Sequence, residues 1–131
     1  MIVLDTHTLI WWATSDTALS KKARIEINRE LDGGDIIVSA ISAWEISMLV
    51  ANQRLVLVME VSAWLSTVAE IESVRLLPVD VEIATKSVEL PGEFHKDPAD
   101  RIIVATARKL AAPLITKDDK IRAYPHVKTI W

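Results

Sequence analysis

The chain contains no cysteine. Disulfides, thiolate zinc sites and a cysteine nucleophile are therefore excluded, and a reducing cytoplasm is the expected setting. Glycine is scarce, at three residues, and none of them builds a Gly-rich phosphate loop. No uninterrupted apolar run reaches the roughly 20 residues that span a bilayer, so no membrane association is expected. No basic leader precedes the first apolar run, Ile2-Val3-Leu4, so no secretory signal is expected either. His7, His95 and His126 lack metal-ligand spacing such as two histidines four apart on a helix. No internal repeat, low-complexity segment or interdomain linker interrupts the chain.

What is present is a chain of 131 residues, half of them apolar. That length and composition suit one domain over residues 1–131 with a true core, and they exclude disorder. The net charge is -3, which by itself argues against a polyanion ligand. Its distribution argues otherwise. From His95 to Trp131 the bases Lys96, Arg101, Arg108, Lys109, Lys117, Lys120, Arg122 and Lys128 outnumber the acids Asp97, Asp100, Asp118 and Asp119. A basic surface around an acidic pocket would suit a polyanion, and solvated helix faces are the plain alternative.

Short apolar runs alternate with helical patterns. Ile2-Val3-Leu4, Ile36-Ile37-Val38, the Val74–Val79 run up to its proline Pro78, Leu114-Ile115-Thr116 and Val127–Ile130 read as strands. Helices are expected over residues 6 to about 14, 19–31, 39 or 42 to about 52, 61–71, 81–90, 97 to about 110 and 119–123. Ser20, Ser39 or Ser42, and Asp97 are candidate caps, with Pro98 at the first helical position. Asp32-Gly33-Gly34-Asp35 is a clear break. The pattern predicts an α/β fold: a central parallel sheet of about four to five short strands with helices on both faces. Such sheets bind ligands beyond the carboxyl ends of their strands.

Four acids stand at places that such a sheet can bring together. Asp5 ends the first strand, Glu45 interrupts an apolar helix, Asp100 lies in the first turn of the Asp97-Pro98 helix, and Asp118 follows the fourth strand. Each has a plain explanation alone. Asp5 can cap a helix, Asp100 suits a helix dipole, Asp118 can be a turn residue, and Glu45 can form a buried ion pair. Asp97 is favoured as a cap. Together, converging carboxylates repel unless a cation sits between them, which points to hard-cation chemistry on phosphate. Thr6 and Thr116 can hold water or phosphate through their hydroxyls. His95 can touch phosphate, but an idle loop histidine is the simpler reading.

Trp11 and Trp12 are adjacent, so a helix cannot bury both on one face, and one of them is expected in a subunit or partner interface. Trp44 and Trp64 read as core or interface.

These residues carry a resemblance. Ile2-Val3-Leu4-Asp5-Thr6, Ser42-Ala43-Trp44-Glu45-Ile46, the segment His95-Lys96-Asp97-Pro98-Ala99-Asp100-Arg101 with the Ile102–Ala107 run, and Leu114-Ile115-Thr116-Lys117-Asp118 resemble the PIN-domain family over essentially the whole chain. Within that family the chain is similar to VapC-type toxins of prokaryotic toxin–antitoxin pairs. The resemblance implies an Mg²⁺- or Mn²⁺-dependent endoribonuclease, inhibited by a cognate antitoxin and usually a homodimer. It maps the family's four acids onto Asp5, Glu45, Asp100 and Asp118, with Thr116 as the polar residue near the last. Asp97 is then a cap or a supporting residue. Hydrolysis by an activated water would leave a 5′-phosphate and a 3′-hydroxyl. Two other readings remain at this point. One is a magnesium phosphatase or phosphotransferase working through an aspartyl phosphate, although position 7 is histidine where a second acid is wanted. The other is a non-catalytic α/β binding module whose acids are caps and ion pairs.

Overall fold

A computed structural model describes all residues, 1–131. The elements run β1 (Ile2–Leu4), α1 (Thr6–Ala13), α2 (Lys21–Leu31), β2 (Ile36–Ser39), α3 (Ala40–Ala51), α4 (Val61–Ala69), β3 (Val74–Leu77), α5 (Val81–Val88), α6 (Pro98–Leu110), β4 (Leu114–Ile115), α7 (Asp119–Ala123) and β5 (Thr129–Ile130). The expected strands all form. β3 ends before Pro78 as expected, whereas β4 stops at Ile115, short of Thr116, and β5 begins at Thr129 rather than Val127. Residues 54–59, ambiguous in sequence, form neither helix nor strand.

The sheet is five-stranded and wholly parallel, in the order β3-β2-β1-β4-β5. Side-chain alternation divides its core. Ile2 and Leu4 of β1 face one side, together with Ile36 and Val38, under α1, α2, α3 and α4. Val3 and Ile37 face the other side, with Leu114, under α5, α6 and α7. A strand covered on both faces must be apolar at every position, which is why the first strand reads as an unbroken run. Trp64 and Val68 bring α4 into the first cluster. Ile103, Val104 and Ala107 bring α6 into the second.

Capping follows the sequence closely. Ser20 accepts from the Ala23 amide, Ser39 from Ile41, Asp80 from Ile83 and Asp97 from Ala99. Gly33, at φ 84°, takes the left-handed turn that ends the connection from α2 to β2. No helix is long and apolar enough to cross a membrane.

Trp44 is not in the core: it is 58 % exposed on α3, and Met48 one turn on is exposed as well. The helix buries Ser42 and Ile46 instead. Trp11 and Trp12 are both half-buried against the first cluster, so neither is fully sequestered within the chain.

Candidate metal centre

The chain leaves β1, builds β2 and β3 on one side of it, and returns to place β4 on the other. The connections from β1 and β4 therefore diverge at their carboxyl ends, and a crevice opens there. Asp5 follows β1 directly. Asp118 lies three residues beyond Ile115, the last residue of β4. Glu45 comes from the second turn of α3, and Asp100 from the first turn of α6. The result is an open cleft of about 530 Å³ whose lining includes Asp5, Glu45, Asp97, Asp100, Asp118, His7, Trp11 and Lys117. The arrangement brings all four sequence-selected acids to one place.

Hydrogen bonds tie the acids to the fold. Asp5, only 7 % exposed, caps α1 by accepting from the Thr6 amide at 2.7 Å. The hydroxyl of Thr116 donates to its other oxygen, also at 2.7 Å. Thr116 in turn accepts from the Asp118 amide at 3.1 Å. Asp118 caps α7, accepting from the Ile121 amide. The Thr6 hydroxyl donates to Glu45 at 2.5 Å and shares a hydrogen bond with Ser42 at 2.8 Å. Thr6 and Thr116 thus orient Glu45 and Asp5. Ser42, a candidate cap in sequence, is instead a further member of this chain, and a lone serine near a helix start has no spacing that marks it for a site. The capping readings of Asp5 and Asp97 also hold, and Asp118, read as a turn residue, caps α7. A cap uses one carboxylate oxygen and leaves the other free for the cleft at Asp97 and Asp118.

The electrostatics are those of crowded acids. Asp100 is pushed up to about 8, first by burial and then by the negative charge of Asp5, Asp97, Asp118 and Glu45. Burial likewise raises Asp5 and Glu45 above the usual carboxylate range, against the opposing pull of their hydrogen bonds from Thr116 and Thr6. Such a cluster can ionise fully only if positive charge enters it. All the donors but one are carboxylates, which suits a hard divalent cation. Asp100, Asp118 and His95 place one ligand atom each within 4.8 Å of one another.

The fold also brings His95, read as a loop histidine, against the acids. Its Nε2 stands 3.0 Å from Asp100 Oδ2. A loop histidine carries no periodic signal, and only the fold shows where its ring goes.

Part of the basic surplus of the last third is committed elsewhere. Arg101 donates to the carbonyl oxygens of Ser87, Phe94 and His95. Arg108 donates to His126, and Lys109 pairs with Asp80 and Glu82. Among these bases Lys117 is the one in the cleft wall, with its ammonium 5.8 Å from the Trp11 ring centre. The basic rim expected from composition is therefore much smaller at the cleft itself.

Asp97 separates cap from charge in a testable way. Asp97→Ala should cost about 1 kcal/mol in denaturant unfolding, whereas Asp97→Asn should cost almost nothing, because asparagine caps as well as aspartate. Equal losses in the two variants would mean that the carboxylate charge, not the cap, holds this end of α6.

The comparisons with known proteins agree with this geometry. The PIN domain profile matches residues 2–127. Ribonuclease VapC22 of Mycobacterium tuberculosis is 35 % identical over 99 % of this chain and 98 % of its own. Among solved structures, VapBC2 from Rickettsia felis bound to a promoter DNA fragment superposes with a TM-score of 0.70 at 15 % identity, covering 99 % of this chain and 98 % of that one. A toxin–antitoxin complex from Klebsiella pneumoniae gives 0.67 at 20 % identity, covering 100 % and 97 %. At those identities the structural likeness speaks for the fold. The profile and the full-length relative speak for descent, and on them the chain belongs to the PIN-domain family.

Proposed function

We propose that this chain is a metal-dependent endoribonuclease, a single nuclease domain over residues 1–131 acting as the toxin of a toxin–antitoxin pair. The observation that carries the reading is the convergence of Asp5, Glu45, Asp100 and Asp118 at the sheet's switch point, with Asp100 raised to about 8. A full-length relative named as a ribonuclease supports RNA as the substrate. Mg²⁺ or Mn²⁺ is the ion we assign. When bound, it supplies charge neutralisation at the scissile phosphate and an acidified water.

The chain's own residues do the rest. The carboxylates of Asp5, Asp100, Glu45 and Asp118 line the cleft and would hold the ion. Thr116 fixes Asp5, and Thr6 fixes Glu45, so the acids are positioned before substrate arrives. Glu45, raised by burial, is placed to accept a proton at the cleft. Lys117 and the Trp11 ring offer the adjoining wall a cation and a flat apolar face for the nucleic-acid chain. An RNA substrate and a chain without cysteine both suit the cytoplasm. The direct test is RNA cleavage by the purified chain with Mg²⁺ or Mn²⁺, lost on chelation. Persistent cleavage in chelator would overturn metal dependence.

Two partners follow. Trp12, half-buried on α1, is offered as a homodimer contact, to be checked by sedimentation. The second partner is a cognate antitoxin. Its apolar part would cover Trp44 and Met48, exposed on the same helix that carries Glu45. Its basic part, an arginine, would enter the acidic cleft, since a guanidinium pairs bidentately with carboxylates. Antitoxin affinity should then fall as Mg²⁺ or Mn²⁺ is raised, measured by titration calorimetry at constant ionic strength. An inhibitory partner indifferent both to metal and to charge removal at the four acids would sink the plugging mechanism, though not the nuclease.

A further inference from the structure

His95 sits in the loop between α5 and α6, two residues before the Asp97 cap. Its Nε2 is sealed from solvent and lies 3.0 Å from Asp100 Oδ2, yet it has no hydrogen-bond partner in acceptable geometry. A ring nitrogen facing a carboxylate at that distance is repulsive unless a proton or a cation lies between lone pairs. A ring nitrogen of His95, an Asp100 oxygen and an Asp118 oxygen all fall within 4.8 Å of one another. Asp5 and Glu45 stand outside that triad. Both Asp5 oxygens already accept hydrogen bonds, and Glu45 accepts from Thr6.

The imidazole is also held in place. The Arg101 guanidinium donates to the carbonyl oxygens of Phe94 at 3.0 Å and His95 at 3.1 Å, and to Ser87 at 2.7 Å. It thereby fastens the loop to the end of α5. The Phe94 ring meets the imidazole edge-on, with centroids 4.4 Å apart. The loop backbone is thus fixed, and the ring packs against Phe94 with its Nε2 turned on Asp100, which lines the cleft.

We propose that His95 is a nitrogen ligand of the metal centre, beside Asp100 and Asp118, and that it biases the site toward Mn²⁺ over Mg²⁺. The proposal rests on reading the acids as a metal centre. Mg²⁺ takes oxygen ligands, keeps several waters and gains little from an imidazole. First-row divalent ions accept imidazole readily. One nitrogen in an otherwise oxygen set therefore changes selectivity more than total affinity. It also places the principal ion on the α6–α7 side of the cleft.

The test is spectroscopic and thermodynamic, and uses the whole chain without RNA. Pulsed electron paramagnetic resonance of the Mn²⁺-loaded wild type should show coupling to a directly bound ¹⁴N. The coupling should vanish in His95→Gln and survive in His7→Gln, a change at the histidine in the cleft lining. Calorimetry should show Mn²⁺ affinity falling about tenfold in His95→Gln, with Mg²⁺ affinity changing about twofold or less. Mn²⁺ binding without a ¹⁴N signal in the wild type would overturn the assignment, and that result needs no variant to fold. A signal that survives His95→Gln would overturn it too. Failure of the wild type to bind Mn²⁺ at all is a different outcome, which brings down the metal-centre reading itself.

Discussion

Asp100→Asn should lower metal-dependent RNA cleavage by on the order of a hundredfold or more while the protein stays folded, and Asp5→Asn should do the same. The two variants act by different routes. Asp100 offers its carboxylate to the cleft directly, 3.0 Å from His95 and close to Asp118. Its replacement by an amide removes a negative donor from the place where the cation belongs. Asp5 is buried, capping α1 and bound by Thr116. An amide there can still accept at one oxygen, but it loses the charge that draws the cation in and the acceptor pair that positions Thr116. Neither change empties the core, so circular dichroism and the melting profile should remain those of a folded protein. Cleavage rates measured on a defined RNA settle the matter. Full activity in either variant would remove that residue from the site.

The metal-free protein should lose stability as pH rises from about 4 to about 8, and divalent cations should restore it over the same range. The sign follows from Asp100, whose folded-state value is raised from 3.8 to about 8 by burial and by Asp5, Asp97, Asp118 and Glu45. The folded state then holds this proton more tightly than the unfolded chain does. Its contribution to stability is greatest when the group is protonated, and is lost as the proton leaves. Asp5 and Glu45, raised in the same direction, add to the trend. A cation binds only the ionised cluster, so stabilisation by metal should grow with pH. Thermal melts at about pH 5 and about pH 8, with chelator and with Mn²⁺, give the comparison. Asp100→Asn should flatten the chelator series and raise the melting point at the higher pH. A wild type equally stable at both pH values without metal would show that the acids do not repel one another as the geometry requires.

Much of the fold is legible in local sequence because local physics decides it. Ser20, Ser39 and Asp97 cap helices because a short polar side chain can reach an unpaired amide two or three residues on. Gly33 breaks the chain because it accepts a positive φ. The unbroken apolar runs announce strands covered on both faces, and hence a parallel sheet. Element ends were less legible. Val127 and Lys128 read as strand but pair only from Thr129 onward, because partner length, not propensity, sets where a ladder begins.

The site divides along the same line. Sequence alone determined that acids stand at strand ends and helix starts, since Asp5, Asp100 and Asp118 are fixed to those positions by turn and cap chemistry. The resemblance to the PIN-domain family added their common purpose. Only the tertiary structure decided that they meet. That depends on β4 lying beside β1, a neighbour relation between residues more than a hundred positions apart. It also decided that Trp44 faces outward, that Arg101, Arg108 and Lys109 spend their hydrogen bonds within the fold, and that His95 turns its Nε2 on Asp100. A side chain's reach is a few ångströms and its spacing signal a few residues. Which distant partner falls within that reach is fixed by strand order and helix packing, which minimise exposed apolar surface across the whole chain rather than along any stretch of it.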